Sequence, residues 1–403
     1  MTGPGAPESS PAERATPKAA TDRATPDEAA IKVVFGYSAG ANASYADTER
    51  LALDYLEMLQ QAGFSVVPFR LDVAHGVLRF AELDRRWRWG DRELLALHER
   101  LERACDGATA FINGPGVNLH PRFVEKLPVV TVFQCFDDPE SSEHLSRPVA
   151  PSYDVSLVGN IAEVETYAGW GAQRPEWIPM GILPGFYDPH LTAADIMEKP
   201  RPLDLLMLSD RLSRWRRARS DELANAFPDA DFYGPGWPKG SLFGAQRQQA
   251  MLQAKIGPNL HNSTGPVNFR TFTVPANGML QICDNRTHFG RIYELGIEAV
   301  GFDTIKECVE LCRYYLAHDE ERRRIAVAGW RRVRADYSEV AVHRRRIAAI
   351  RRVLAAPARR QALTGIARVH RDATRWRHHA WPLVDLGARA AGRARRMLRS
   401  PHP

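Results

Sequence analysis

KIGPNLHNSTGPVNFRTFTVPANGMLQICDN, residues 255–285, is the stretch on which the fold of this 403-residue chain turns. Lys255–Leu260 and Met279–Cys283 are short apolar runs, and the segment near Val267–Asn277 between them is spaced as a helix. Strand, helix and strand in so short a span make the parallel βαβ unit. The turn Ser263-Thr264-Gly265-Pro266 leads into the helix: Ser263 or Thr264 can cap it, and Pro266 suits its first turn. A helix start exposes unpaired N–H groups and the positive end of the dipole, which makes a seat for phosphate. The plainer alternative is a well-capped helix and nothing more.

The same alternation extends in both directions. Towards the C-terminus, Ala299–Phe302 reads as a strand and Ile305–Ala317 and Asp319–Asp336 as helices. Upstream, Leu203–Leu208 is a strand, Ser213–Phe227 a helix and Asp231–Gly236 a strand-turn. Before them, Pro179–Pro202 carries five prolines without periodicity and reads as an interdomain connector. The first half repeats the pattern. Ile31–Gly36, Ser65–Phe69, Ala108–Asn113, Val129–Phe133 and Val155–Val158 are strand-like, with helical stretches at Ala46–Gly63 and Arg85–Arg103. Two such sheets predict an α/β protein with two Rossmann-like domains and a ligand cleft at the strand carboxyl ends. The expected division is a disordered leader at 1–30, one domain at 31–183, a linker at 184–202 and a second domain at 203–337. A helix at 338–356 then crosses back to the first domain, and a basic tail occupies 357–403.

Composition narrows the class. Residues 357–403 hold eleven Arg and two Asp, a net of +9, which leaves residues 1–356 at −3. The body is therefore not a nucleic-acid binder by charge, and no zinc-finger or aromatic-basic signature argues otherwise. No apolar run approaches a membrane span and no export signal is visible, so a cytoplasmic location is expected. The five cysteines lack CxxC spacing and read as reduced, buried thiols.

Residues 203–345 carry an ordered set of motifs: Tyr233-Gly-Pro-Gly-Trp237, the Asn268-x-Arg270 helix with its Pro-Ala-x-Gly end, Glu298-x-Val-x-Phe-Asp303, and RYYLAHDEERRRIAVAG at 313–329. The set resembles the donor half of the CgeB-like branch of the group 1 glycosyltransferases. The resemblance implies a GT-B fold and metal-independent glycosyl transfer from a nucleotide sugar, which is a substrate rather than a cofactor. It implies that Ser263, Thr264, Asn268 and Arg270 face the donor phosphates and sugar, with His261 beside them. The family pattern has Glu where this chain has Thr273, so the donor hydroxyls would need another carboxylate, such as Glu294 or Glu298. A nucleotide-sugar-binding protein without catalysis is the alternative. Arg211 and Arg214, at the end of the first strand, would neutralise the diphosphate leaving group, or else belong to a solvated basic helix start with Arg216, Arg217 and Arg219.

In the first half, the loop Gly36–Asn42 does not match GxGxxG. Ser38, Gly40 and Asn42 would let an acceptor or a phosphate approach the backbone, or merely form a tight turn. Asn113 leads a loop to His120, one candidate general base; Asp137, at the end of the next strand, is its rival. In the tail, Leu363, Ile366 and Val369 are helically spaced, and Trp376 and Trp381 sit among arginines. That pattern predicts peripheral contact with an anionic membrane. The acceptor itself is left open.

Overall fold

A computed structural model describes residues 23–39, 48–74, 76–211, 214, 216–262, 268–285, 288–356, 363–377 and 386–387. Among the described residues, eleven strands form two all-parallel sheets. The first contains β1 (Val33–Tyr37), β2 (Val66–Arg70), β3 (Ala110–Asn113), β4 (Val130–Cys135), β5 (Val155–Val158) and β6 (Pro175–Trp177), in the order β2-β1-β3-β4-β5-β6. The second contains β7 (Leu203–Leu208), β8 (Asp231–Tyr233), β9 (Ala254–Asn259), β10 (Leu280–Asp284) and β11 (Val300–Phe302), in the order β11-β10-β9-β7-β8. Within each sheet the first strand thus lies between the second and the third. The strand order reverses there, between β1 and β3 and again between β7 and β9, and such switch points open a crevice at the strand carboxyl ends.

The strands are apolar on both faces because helices cover both. Val34, Phe111 and Phe133 pack with Leu94, Leu97 and Leu101 of helix Arg92–Ala104 on one side of the first sheet. Val33, Ile112 and Val132 pack on the other side with Ile347, Ile350 and Val353. Those last three lie on helix Glu339–Leu354, which starts at the Ser338 cap and returns from the second unit to the first, as expected. Arg346 fixes the return by donating to Gln134 Oε1 (2.9 Å) and to the Tyr55 hydroxyl.

Three expected boundaries change. The leader is not free up to residue 30: Thr25 caps a helical turn at Pro26–Ala29, Ala24 N donates to Ala62 O at 2.7 Å, and Arg344 pairs with Glu28 at 3.2 Å. Burial raises the Glu28 carboxyl, but the Thr25 N–H and Arg344 outweigh it and hold it below its ordinary value. The connector is not loose either, because helix Ala193–Glu198 buries Ile196 against Ala326 and Val327 of helix Asp319–Asp336. The expected helix at 85–103 is two helices, Phe80–Trp89 and Arg92–Ala104, broken where Gly90 takes φ +64°.

Within the basic tail, residues 363–377 dock on the first unit. Glu102 accepts from the backbone N–H of Gly365 and of Ile366, Arg371 pairs with Glu99 at 2.6 Å, and Ala367 is fully buried. His370 stacks on Trp87 with ring centroids 3.8 Å apart. Ile366 packs against the core, so Leu363, Ile366 and Val369 do not share one outward face. Trp381 lies outside the described residues.

Candidate functional site

The second switch point is built from the ends of β7 and β9. Gly234 lets the chain after β8 pass beneath it: φ is +135°, and a Cβ there would stand 2.3 Å from Ser209 O. Trp237 Nε1 donates to that same oxygen at 2.9 Å, and Arg211 N donates to Pro235 O at 2.9 Å. The Tyr233–Trp237 turn thereby braces the loop after β7. Arg211 lies over the Trp237 ring and pairs with Asp221 at 2.6 Å, while Arg214 is exposed.

Arginines crowd the floor of this crevice. Arg216 is buried and donates to Asp210 O and Leu260 O; Arg219 donates to His261 O at 2.7 Å and pairs with Asp284 at 3.2 Å. The solvated reading of this basic run therefore holds for Arg217, which is exposed, and fails for Arg216 and Arg219. Asp284 closes on His261, accepting from its backbone N–H at 2.8 Å and facing its Nδ1 at 2.9 Å. Burial raises the Asp284 carboxyl, but His261 and Arg219 outweigh it and hold it below its usual value. Burial also pushes the His261 imidazole down, so at neutral pH it is an uncharged group positioned by Asp284.

The motif helix contributes scaffold rather than open ligand contacts. It runs Arg270–Ala276 and is buried throughout. Arg270 donates from Nε to Asn259 Oδ1 (3.0 Å), from Nη1 to Leu208 O (3.2 Å) and from Nη2 to Leu260 O (3.5 Å), clamping β7 to β9. Burial and the nearby Arg216 push its pKa down to about 9. Asn268 exchanges hydrogen bonds with Asn259 and accepts from Thr271 N. Thr273 has no exposed surface and its hydroxyl donates to Phe269 O at 3.0 Å. Arg270 and Thr273, expected at the donor, are here engaged by the helix and the strand ends beneath it. Ser263 and Thr264 lie outside the described residues.

Residues 213–345 match the family model described as glycosyl transferase-like. The match falls chiefly within the second unit and spans about a third of the chain. Among curated proteins none matches the chain. Solved structures do match, and two are a glycosyltransferase from Rickettsia africae (13% identity, 80% of this chain and 99% of that one, TM-score 0.54) and sucrose-phosphate synthase from Thermosynechococcus elongatus (12%, 80% and 99%, 0.56). A third is Anabaena HepE in complex with UDP-glucose (13%, 79% and 98%, 0.52). At such identities the likeness establishes the fold, GT-B with two Rossmann-like units. An enzyme of the glycosyltransferase class is what the family match and these neighbours share.

Of the remaining donor-side candidates, Glu294 and Glu298 contact each other. Glu298 directly precedes β11, at the amino end of the sheet, where it accepts from Glu294 N at 2.9 Å and lies 3.7 Å from Arg332. In a parallel sheet the crevice opens at the opposite, carboxyl end. His261, Cys283 and Asp284 bring ligand-type atoms within 4.8 Å of one another. Burial keeps the Cys283 thiol protonated, and Asp284 is engaged by His261 and Arg219, so the group reads as a hydrogen-bonded cluster.

The first switch point faces the connector. A Cβ at Gly185 would lie 3.2 Å from Leu51, in the helix after β1, while the Phe186 ring meets Phe269 at 5.3 Å in front of the motif helix. The segment 185–186 therefore stands between the starts of the two helices that follow β1 and β9, joining the two switch points. On this side Ser38 Oγ donates to Asp72 at 2.6 Å, a carboxylate that also takes Ala39 N and Arg70. Asn113 is buried and spends its amide on Val117 and the Tyr153 hydroxyl, which corrects its expected role in the cleft. Gly40 and Asn42 lie outside the described residues.

The two candidate bases part company. His120 is buried in an aromatic pile, its ring parallel to Trp87 at 4.7 Å and its Nε2 3.4 Å from Asp84. Burial pushes its pKa down to about 4. Sequence reasoning placed it in the cleft because it follows a strand, but the chain turns inward first and His120 caps helix Pro121–Val124. Asp137 sits just past the carboxyl end of β4 and reaches solvent. Enough protein surrounds its carboxyl to desolvate it, and with Asp138 and Glu140 alongside its pKa is raised. Arg216, Arg219 and Asp284 are the residues the motif search missed; the one signal available was the density of arginine between 211 and 219.

Proposed function

We propose that the chain transfers a glycosyl group from a nucleotide-linked donor to an acceptor hydroxyl or amine, without a metal, as a CgeB-like group 1 glycosyltransferase. The glycosyl transferase-like domain holds the donor and the first unit the acceptor. One observation carries the reading. Arg216, Arg219 and Arg270 converge on the β7/β9 switch point, where among the described residues Asp284 is the deeply buried carboxylate and half-buried Asp210 acts on Arg216. Positive charge held out of water with too few counter-charges depresses the pKa of Arg216 and Arg270, and an arriving diphosphate relieves it. Nucleotide binding by the Anabaena neighbour, solved with UDP-glucose, agrees with a donor of this class.

In this proposal the arginines act through fixed positive charge, stabilising the diphosphate as the sugar leaves. Neutral His261, oriented by Asp284, sets the loop backbone beside it. Asp137 takes the proton from the acceptor nucleophile, and its raised pKa brings it closer to the range where a base works best. The binding-only alternative rested on Thr273, and that side chain is buried against Phe269 O, so its identity says little about ligand contacts. The proposed setting is the cytoplasm, with the basic tail available to a membrane face.

The test combines two measurements. A nucleoside diphosphate at about 100 times its Kd should stabilise the fold by about 2.7 kcal/mol, with or without EDTA. Asp137→Asn should keep that stabilisation and lose roughly 100- to 10,000-fold in turnover. Stabilisation that requires added Mg²⁺ or Mn²⁺ defeats the metal-independent form. Full turnover in Asp137→Asn removes Asp137 as the base.

A further inference from the structure

Helix Ile366–Thr374 and the turn Arg375–Arg377 dock on the first unit and leave part of their apolar surface outward. The inward side presents Ile366, Ala367, His370 and Thr374 to the first unit. Val369 (63% exposed), Ala373 and Trp376 (67% exposed) stand outward at spacings of four and three, one stripe on a helix. Arg368 and Arg375 flank the stripe, and the Arg377 guanidinium lies 4.7 Å from the Trp376 ring centre. Beneath it, between this helix and Arg92–Ala104, is a cavity of about 350 Å³ whose lining includes Arg92, Arg371 and Arg375 with Glu99 and Asp372. A helix folded only to cover a core would turn Val369 and Trp376 inward and leave Thr374 to water.

We propose that this face is a docking surface for a membrane containing anionic lipids. Val369, Ala373 and Trp376 enter the headgroup boundary, and Arg368, Arg375 and the cavity arginines meet lipid phosphates. Charge complementarity decides the occupant: the stripe lies in a segment, 357–403, that carries eleven Arg against two Asp. Trp beside Arg matches an interface that is apolar on one side and anionic on the other. A nucleic acid would use the arginines and leave the Val369–Trp376 stripe without a role. The inference names the lipid and the residues for the membrane contact proposed above, and it does not depend on glycosyl transfer, since vesicle binding is read without turnover.

The experiment is co-sedimentation of the full chain with vesicles of phosphatidylcholine alone and of phosphatidylcholine mixed with phosphatidylserine. Wild type should pellet with the mixed vesicles, remain in solution with phosphatidylcholine, and be released by high salt. The double variant Val369→Asp/Trp376→Ser should bind the mixed vesicles at least roughly tenfold more weakly, having lost its apolar anchors. Both positions are exposed, so its melting temperature should match wild type, which keeps the result readable. Arg375→Glu should also weaken binding and leave melting unchanged. No sedimentation with mixed vesicles, or equal sedimentation of wild type and double variant, overturns the proposal. So does RNA binding that equals vesicle binding and survives the double variant.

Discussion

Lowering the pH from about 8 to about 5 should remove most of the stability of this protein, through three buried histidines. His98, His120 and His343 have pKa values near 3, 4 and 3 in the folded chain, pushed down chiefly by burial from an ordinary 6.5. The sign follows from where protons bind. Below about 6.5 the unfolded chain takes up protons that the folded chain refuses, so stability is complete above that pH and falls beneath it. At pH 5 each histidine is about 1.5 units below its unfolded pKa, a loss of about 2 kcal/mol. Three together reach about 6 kcal/mol, against a usual total of about 5–15. His261, also lowered by burial, adds in the same direction, and Asp137, raised, opposes it as a single group. Glu28 and Asp284 are depressed carboxyls, so their contributions are lost only at lower pH, below about 4. Urea unfolding across this range measures the loss. His343 supplies the control: neither ring nitrogen has a hydrogen-bond partner among the described residues, and the ring sits edge-on to Phe64 at 4.7 Å. His343→Leu should raise stability and flatten the pH dependence by about a third. A loss under about 1 kcal/mol, or an unchanged slope in the variant, refutes the reasoning.

Arg270→Lys keeps the charge but loses the fork that reaches three acceptors. It should cost about 2–4 kcal/mol in denaturation while nucleoside diphosphate affinity changes less than about tenfold. Normal melting with lost binding would return Arg270 to the ligand. Thr273→Glu buries an unpaired carboxylate and should destabilise by about 3 kcal/mol or more; a stable variant with tighter nucleotide binding would place position 273 at the sugar after all. Deleting residues 1–30 should lower stability by about 1–2 kcal/mol, since Ala24 and Glu28 lose Ala62 and Arg344, whereas a deletion ending at residue 22 spares both contacts.

Much of the fold was legible because periodicity is local. Val155–Val158, Leu203–Leu208, Ile305–Ala317 and Asp319–Asp336 agree with the structure residue for residue. Helix Gly244–Gln253 was not legible, since it buries only Met251 and so has no apolar stripe to see. β6 is three half-buried residues, too few to alternate. The docking of residues 363–377 depends on Trp87, Glu99 and Glu102, more than 260 positions away, and no window along the chain contains both partners. The candidate site was legible as a place and less so as a list. The β7/β9 end was found, while which arginines face inward depends on acceptors that only the folded loops supply.

The motif residues prove to be braces, and that has a physical logic. A crevice lined by strand ends has backbone carbonyls that no ladder satisfies, here Leu208, Asp210, Leu260 and His261. Arg270 takes Leu208 and Leu260, Arg216 takes Asp210 and Leu260, and Arg219 takes His261. Each guanidinium thus satisfies buried acceptors and leaves a net positive charge at the same spot. A lysine could supply the charge but not the branching, and an asparagine could bond to a carbonyl but carry no charge. Arginine serves both needs, so at this crevice the residues that hold the loops in place are also those that supply the positive charge the proposed donor site relies on.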